Sequence, residues 1–363
     1  MKIPSPNPGL NQIAGHMVDP EMSWPPPMIR LNSNENALGP SPHAIEMAKA
    51  SAFENERYIA NQDRFLVPAI AEKYSLDPDR IAIGCGSDDL LARLVKCYLG
   101  QGNQLLRSEN SYLKTPRYAL AAGGEPVSIK DKEFTVVVDN FLAQDLAKVD
   151  IVYLANPDNP SGTMIPFDEI LRLHQNIPAR ILLIIDCAYE EYIDESCFKQ
   201  MRELVEQSPN VVFTRTFSKV FGLAGARIGW SYSSRAVQNI INKASLTFPL
   251  SSTSLRMGLV ALEDQNLVDW VITHNCNMRA KFTSVFENMG LKVYPSQANF
   301  LLLEFPKQEH TAADAELHLR KRGVWVRRFA SESYESCLRI TLGLESQLDI
   351  AAGYIKEFLN TSR

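Results

Sequence analysis

The chain has 363 residues, 45% hydrophobic and 22% charged, the composition of an ordinary globular protein long enough for two domains and a substantial core. A formal net charge of −5 offers no general attraction to nucleic acid or to an anionic membrane surface. No basic-flanked apolar stretch opens the chain and no run approaches the roughly eighteen apolar residues of a membrane span, so a cytoplasmic protein is expected. The six cysteines include no C-x-x-C pair and the six histidines no ligand spacing; the thiols read as reduced, and no metal site is expected.

Residues 1–30 are rich in proline and polar groups, and Pro25-Pro26-Pro27 excludes regular structure; the segment reads as an arm, either disordered or lying on a neighbour. The stretch from Leu31 to Pro42, LNSNENALGPSP, is turn-rich, and Ser41-Pro42 predicts the cap and first residue of a helix running to about Phe53. Arg57 and Tyr58 fall in a loop before a second helix near Pro68 to Tyr74. Ile81 to Ile83 reads as a short strand entering Gly84-Cys85-Gly86-Ser87-Asp88-Asp89, after which Leu90, Leu91, Leu94, Val95 and Tyr98 share one helical face. Glycines ahead of a helix start leave backbone N–H groups where a phosphate can meet them. As a dinucleotide fingerprint the segment fails, because the third glycine and a convincing acidic partner are missing.

Three further strands, Asp150 to Leu154, Ile181 to Ile185 and Val211 to Phe213, each deliver polar residues at their carboxyl ends. The first leads into NPDNPSG (156–162), the second into Asp186-Cys187-Ala188-Tyr189, the third into a loop holding Thr216, Ser218 and Lys219. Alternating helices and buried strands predict an α/β fold whose mainly parallel sheet is covered on both faces, with ligands beyond the strand carboxyl ends. After Trp230 the pattern changes to helices at Ala236 to Ser245 and from Leu255 to about Met289. A small α+β unit follows, with strands at Leu291–Tyr294, Asn299–Phe305, Val324–Arg328 and Cys337–Leu342 and helices at Thr311–Arg322 and Gln347–Leu359. The expected division is an arm at 1–30, a large domain at 31–250 and a small domain at 251–363, with residues 31–45 able to pack against the small one. No internal repeat or low-complexity segment is present.

The loop after Phe213 gathers one amine, Lys219, two hydroxyls, Thr216 and Ser218, and the guanidinium of Arg227 among small residues. That set suits a cofactor with an aldehyde and a phosphate, since the amine can form a Schiff base while hydroxyls and guanidinium hold the phosphate. Pyridoxal 5'-phosphate is such a molecule; the plainer alternative is a solvated loop lysine beside an unrelated arginine. Asp186, at the end of an apolar strand, is a buried carboxylate in need of a cation. A protonated pyridine nitrogen would supply one and make the ring an electron sink, whereas a structural pair or a helix cap is the other reading. Tyr189 and Asn159 stand where they could reach a ring hydroxyl or simply tie down a turn.

The segments LNSNENALGPSP, GCGSDDLL, NPDNPSG, DCAYEEY, TFSKVFGLAGARIGW and CLRITLG occur in that order over nearly the whole chain. In them the chain resembles the fold-type I pyridoxal-phosphate enzymes of aminotransferase classes I and II, most closely the histidinol-phosphate aminotransferase group. The resemblance implies a large domain with a mainly parallel sheet sandwiched by helices, plus a small α+β domain. It implies Lys219 as the Schiff-base lysine and proton shuttle, Asp186 on the pyridinium, Asn159 and Tyr189 on the ring oxygen, and Tyr112 stacked on the ring. Ser87, Asp88, Thr216, Ser218 and Arg227 would cradle the phosphate, joined by Tyr58 from the partner subunit of a homodimer. Arg339 would clamp the substrate carboxylate or an anionic equivalent, with Asn36 and Arg327 also on the substrate side. Arg327 lies in the basic run Arg320 to Arg328, for which a solvated surface is the alternative reading.

The implied reaction is transamination in two half-reactions, the amino group passing to 2-oxoglutarate. Some segments depart from the group's pattern: Cys187 after the aspartate, Phe217 in the lysine loop, Trp24 with the proline triplet ahead of Leu31, and Phe248-Pro249-Leu250-Ser251. Those near the substrate side leave open an aromatic or other amino donor. A threonine-phosphate decarboxylase shares the family's features, and a non-catalytic cofactor-binding regulator is the remaining alternative.

Overall fold

The computed structural model describes residues 8–13 and 29–361. Most of the expected arm, Trp24 and the proline triplet included, lies outside the described residues. Within it the short turn Pro8–Gln12 rests on the helix Thr115–Ala122, so close that a Cβ at Gly9 would stand 2.3 Å from the Leu120 carbonyl oxygen.

A seven-stranded sheet forms the larger body. Its order across the sheet is Ile81–Gly84, Gly229–Ser233, Val211–Thr216, Leu182–Asp186, Val149–Ala155, Gln104–Ser108 and Glu125–Ile129. All pairs are parallel except those of Gly229–Ser233, which runs antiparallel to both neighbours. Period-two alternation divides the central strands between two cores. Leu183 and Ile185 enter the core shared with Leu66, Ile170, Leu204 and Leu255, while Leu182 and Ile184 enter the one shared with Leu90, Leu94 and Ile241. Burial on both faces gives central strands unbroken apolar runs, so they are legible in sequence. The outermost strand Glu125–Ile129 is not, since it carries Glu125 and Pro126 at a sheet edge, where a missing N–H costs no ladder bond.

Several expected helices shift. Ser41 caps the first, its hydroxyl accepting from the Ala44 amide at 3.1 Å, but regular α-helix ends at Ser51. The second begins at Asp63 and carries Pro68 in its interior rather than at its start. The long stretch after Leu255 is two helices, Ser252–Glu263 and Gln265–Glu287, separated by Asp264, whose carboxylate caps the second by accepting from Leu267 N at 3.2 Å.

The helix Gln265–Glu287 joins two cores. Val268 and Val271 pack with the large sheet, whereas Met278, Phe282 and Phe286 pack with the small unit, where Leu31 is also buried. That unit has a four-stranded antiparallel sheet in the order Arg327–Arg328, Cys337–Thr341, Phe300–Glu304, Lys292–Val293. The single strand expected over Val324–Arg328 is in fact two. Val324–Trp325 pairs in parallel with Ile29–Arg30, and after Val326 the chain changes partner, so that Arg327 lies in register with Arg339. Sequence could not show this division, because one β-prone run served two sheets.

Candidate active site

Beyond the carboxyl ends of the parallel strands is a cavity of about 230 Å³. Ser87, Asp88, Tyr112, Asn159, Asp186 and Tyr189 line it together with Thr216, Ser218, Lys219 and Arg227, so residues spread over much of the chain converge on one space.

Asp186 ends its strand with 7% of its surface exposed. It accepts from the Tyr153 hydroxyl and from Thr214 Oγ1, each at 3.1 Å, and among the described residues it has no ion-pair partner. Burial, with the charge of Asp88 added, pushes its pKa up to about 6. A buried carboxylate held only by neutral donors, two hydroxyls and the Ala188 backbone N–H, retains unmet demand for a cation.

Lys219 follows the neighbouring strand Val211–Thr216 and extends its amine into the same cavity. The amine donates a long hydrogen bond, 3.4 Å, to the Asn34 carbonyl, and its Nζ lies 5.6 Å from the centre of the Tyr189 ring. Burial and then the Arg339 charge bring its pKa down to about 8, so part of the population carries a neutral, nucleophilic amine near pH 7. The Tyr189 hydroxyl accepts from Asn34 Nδ2 at 2.9 Å and stays neutral, its pKa raised to about 12 by burial. Asn159 receives Arg339 Nη1 on its Oδ1 at 2.5 Å, which leaves the Asn159 amide N–H groups for the cavity.

At the other end, Ser87 opens the helix Ser87–Tyr98, and Gly86 precedes it with φ 83°. A Cβ at Gly86 would stand 2.4 Å from Arg227 Nη2, so the glycine admits the guanidinium over the helix start. Thr216 Oγ1 donates to Ser218 Oγ at 2.9 Å beside it. Arg227 donates to the Ala224 carbonyl at 3.0 Å and has no carboxylate partner among the described residues. A helix N-terminus, two hydroxyls and an unpaired guanidinium form an anion cradle.

Asp88 differs from its expected place among the phosphate ligands. Its carboxylate accepts from Lys114 at 2.6 Å, Tyr112 at 2.7 Å and Tyr118 at 3.0 Å. Burial opposes its ionisation, but these bonds outweigh it and hold the pKa below the usual carboxylate value. An anion so engaged would repel a phosphate; its side chain instead fixes Tyr112, and only its backbone N–H suits the cradle. Asn36 is likewise occupied, its amide donating to the Val220 carbonyl at 2.8 Å and its Oδ1 accepting from Leu38 N at 2.9 Å. The side chain expected on the substrate therefore braces the lysine loop. Tyr58 is outside the cavity wall, 81% exposed and stacked on Phe248 with ring centres 4.5 Å apart.

Arg339 is buried, donating from Nη2 to the Asn32 carbonyl at 2.8 Å as well as to Asn159. Burial, with the Arg327 charge added, lowers its pKa to about 10, so it remains cationic at neutral pH. Arg327 is exposed and has no ion pair among the described residues.

Sequence reasoning missed Asn34, which contacts both Tyr189 and Lys219, and the hydroxyls of Tyr153 and Thr214 on Asp186. Thr214 was discoverable, since it is the in-register neighbour of Asp186 once adjacent parallel strands are assumed. The cavity as a whole fits pyridoxal 5'-phosphate: an orphan buried carboxylate for the ring nitrogen, an amine for the aldehyde, donors for the ring oxygen, and a cationic cradle for the phosphate.

Comparison with known proteins agrees with the geometry. Residues 26–355 match the family model for aminotransferase class I and II, and the chain belongs to that family. Within it the chain is similar to the histidinol-phosphate aminotransferase of Rhodospirillum centenum, 38% identical over 361 residues and covering 99% of both chains. The crystal structure of histidinol-phosphate aminotransferase from Sinorhizobium meliloti in complex with pyridoxal-5'-phosphate superposes with a TM-score of 0.87 at 28% identity, over 92% of this chain and 90% of that one. L-threonine-O-3-phosphate decarboxylase from Porphyromonas gingivalis shares the fold, with a TM-score of 0.78 at 19% identity over 92% of this chain and all of that one. No helix among the described residues is long and apolar enough to cross a membrane, and none of their His, Cys, Asp and Glu side chains form a metal-binding group.

The lowered pKa of Lys219 yields a pH prediction. The neutral amine fraction rises about tenfold per pH unit below the pKa. Uptake of pyridoxal 5'-phosphate by cofactor-free protein should therefore accelerate steeply from about pH 6 and level off above about 8. Stopped-flow absorbance measures this, and a rate indifferent to pH over that range would contradict the assignment.

Proposed function

We propose that the protein is a pyridoxal-phosphate-dependent aminotransferase taking an amino donor with a phosphate group, of the histidinol-phosphate type, and passing its amino group to 2-oxoglutarate in two half-reactions. Bound in the cavity, the cofactor supplies an electrophilic carbon for amines and a pyridinium ring that withdraws electrons from the bond broken at the substrate α-carbon. Asp186 keeps the ring nitrogen protonated by opposing its charge. With the cofactor bound, Lys219 Nζ would be the group to accept the α-proton and give it back; Asn159 and Tyr189 would hold the ring oxygen, and Tyr112 would cover the ring.

The observation that carries the donor class is the in-register placement of Arg327 opposite Arg339, neither in an ion pair among the described residues. Like charges facing across a strand pair are destabilising by themselves. An anionic substrate group relieves that repulsion, and Arg339 Nε is buried with no partner in the protein. Arg327→Gln is expected to raise KM for histidinol phosphate by about 10- to 100-fold, the loss of one charge-assisted contact. KM for an aromatic amino acid lacking phosphate should stay within about twofold. Steady-state kinetics over a panel of histidinol phosphate, phosphothreonine and aromatic amino acids tests this, and carbon dioxide release without keto-acid formation would assign decarboxylation instead.

We further propose a homodimer. Phe53 and Leu246, 88% and 60% exposed, accompany Tyr58 and Phe248 as uncovered apolar side chains, and Tyr58 would then reach the partner's phosphate cradle. A cytoplasmic setting agrees with six free cysteines.

A further inference from the structure

A turn remote in sequence from every residue assigned so far is built against the small unit. Lys132 and Thr135 exchange backbone hydrogen bonds at 3.0 and 2.9 Å, closing a two-residue hairpin loop. Both loop residues are at positive φ, Glu133 at 49° and Phe134 at 60°. Such loops ordinarily hold Asn-Gly or similar pairs, because a side chain with bulk at Cβ is strained there. A phenylalanine in that position indicates that its ring has a role which outweighs the backbone cost.

The ring stacks on Tyr334 with centres 4.6 Å apart and planes 13° from parallel, and meets Tyr294 edge-on at 4.8 Å. Tyr334 in turn lies 5.3 Å from Phe329. Phe329 carries both guanidiniums, Arg339 at 5.4 Å and Arg327 at 5.9 Å from its ring centre. A second route starts at the Phe134 carbonyl, which accepts from Thr163 Oγ1 at 2.7 Å. The Thr163 carbonyl accepts from Asp158 N at 2.8 Å, and the adjacent Asn159 holds Arg339 Nη1. Ring contacts and hydrogen bonds thus lead independently from one residue to the same arginine. The loop bearing Tyr334 is tied to the large body beside this point, its hydroxyl donating to the Asn110 carbonyl at 2.6 Å.

We propose that Phe134 is a positioning residue for substrate recognition, setting the placement of Arg339 and Arg327 through Phe329 and Tyr334 and through the Asp158–Thr163 loop. The proposal rests on the reading of those arginines as the anion-binding pair. Phe134 touches neither cofactor nor reacting atoms, so its effect falls on donor binding. Phe134→Ala should raise KM for histidinol phosphate about tenfold while kcat stays within about twofold. The donor concentration that half-shifts the cofactor absorbance band should rise in step. Phe134→Leu keeps the apolar volume and guards against loss of folding; it should show the same split, and Phe134→Tyr, which restores a ring, should return KM to near the wild-type value.

Cofactor retention, measured by absorbance after dialysis of the holoenzyme, should be unchanged in all three. Unaltered donor KM and half-shift in the Ala and Leu variants would overturn the proposal, as would a joint fall in kcat, cofactor retention and stability that Tyr does not restore. Arg327→Gln in the same series separates the two readings. If it raises KM and the Phe134 variants do not, the positioning role alone is lost; if it leaves KM unchanged, the anion reading fails and the proposal with it.

Discussion

Lys219→Ala is expected to lower kcat by about 10³-fold or more, because in the proposed mechanism one side chain supplies both the attachment point and the proton transfer, and proton transfer alone is typically worth about 10²- to 10⁴-fold. Among the described residues no other amine lines the cavity, so no neighbouring group can take over. The fold should persist, since the amine is held only loosely, by the 3.4 Å contact to Asn34. Stability supports a functional rather than structural role. A lysine whose folded pKa is depressed to about 8 from 10.5 binds its proton less tightly when folded, so its contribution improves as pH rises through that window and is least favourable below it. At pH 7 the cofactor-free alanine variant should be at least as stable as the parent in urea unfolding. Repeated turnover at more than about a tenth of the parent rate would refute the assignment.

The second large effect is expected at Asp186, where Asp186→Asn should stabilise the cofactor-free protein while impairing the holoenzyme. The carboxyl pKa is raised to about 6 from 3.8, chiefly by burial. Between those values the folded state binds more protons than the unfolded one, so stability falls as pH rises through that window and stays low above it. A neutral isostere avoids that penalty, which amounts to about 2–3 kcal/mol for a shift of this size. Above about pH 7 the cofactor-free variant should therefore unfold at higher urea than the parent, with the gap closing near pH 4. In the holoenzyme the proposed counter-charge to the ring nitrogen would be gone, and kcat should fall by about 10²-fold or more with faster cofactor loss. A variant less stable than the parent at pH 8, or one that retains cofactor and activity, would remove Asp186 from its role.

Lys219 and Asp186 both stand out in the amino-acid sequence, for a physical reason. Asp186 ends, and Lys219 follows, a strand buried on both faces, and such strands leave near-continuous apolar runs that mark where the polar loop begins. The groups that hold these two side chains were harder to see. Tyr153 alternates within an apolar strand and reads as core, and only the pairing of Val149–Ala155 with Leu182–Asp186 brings its hydroxyl to the carboxylate. Asn34 is one of several polar residues in a turn-rich segment, and sequence does not tell which of them folds inward.

By itself the amino-acid sequence determined the α/β plan, the sheet's ligand-bearing edge, and the lysine, carboxylate and cationic cradle that meet there, since each depends on local periodicity and on residues adjacent to a strand end. Tertiary structure alone decided the engagement of Asp88 with Tyr112 and of Asn36 with Val220, the division of Val324 to Arg328 between two sheets, and the stacking of Phe134 on Tyr334. These are choices among partners distant along the chain, settled by register and packing rather than by any local preference.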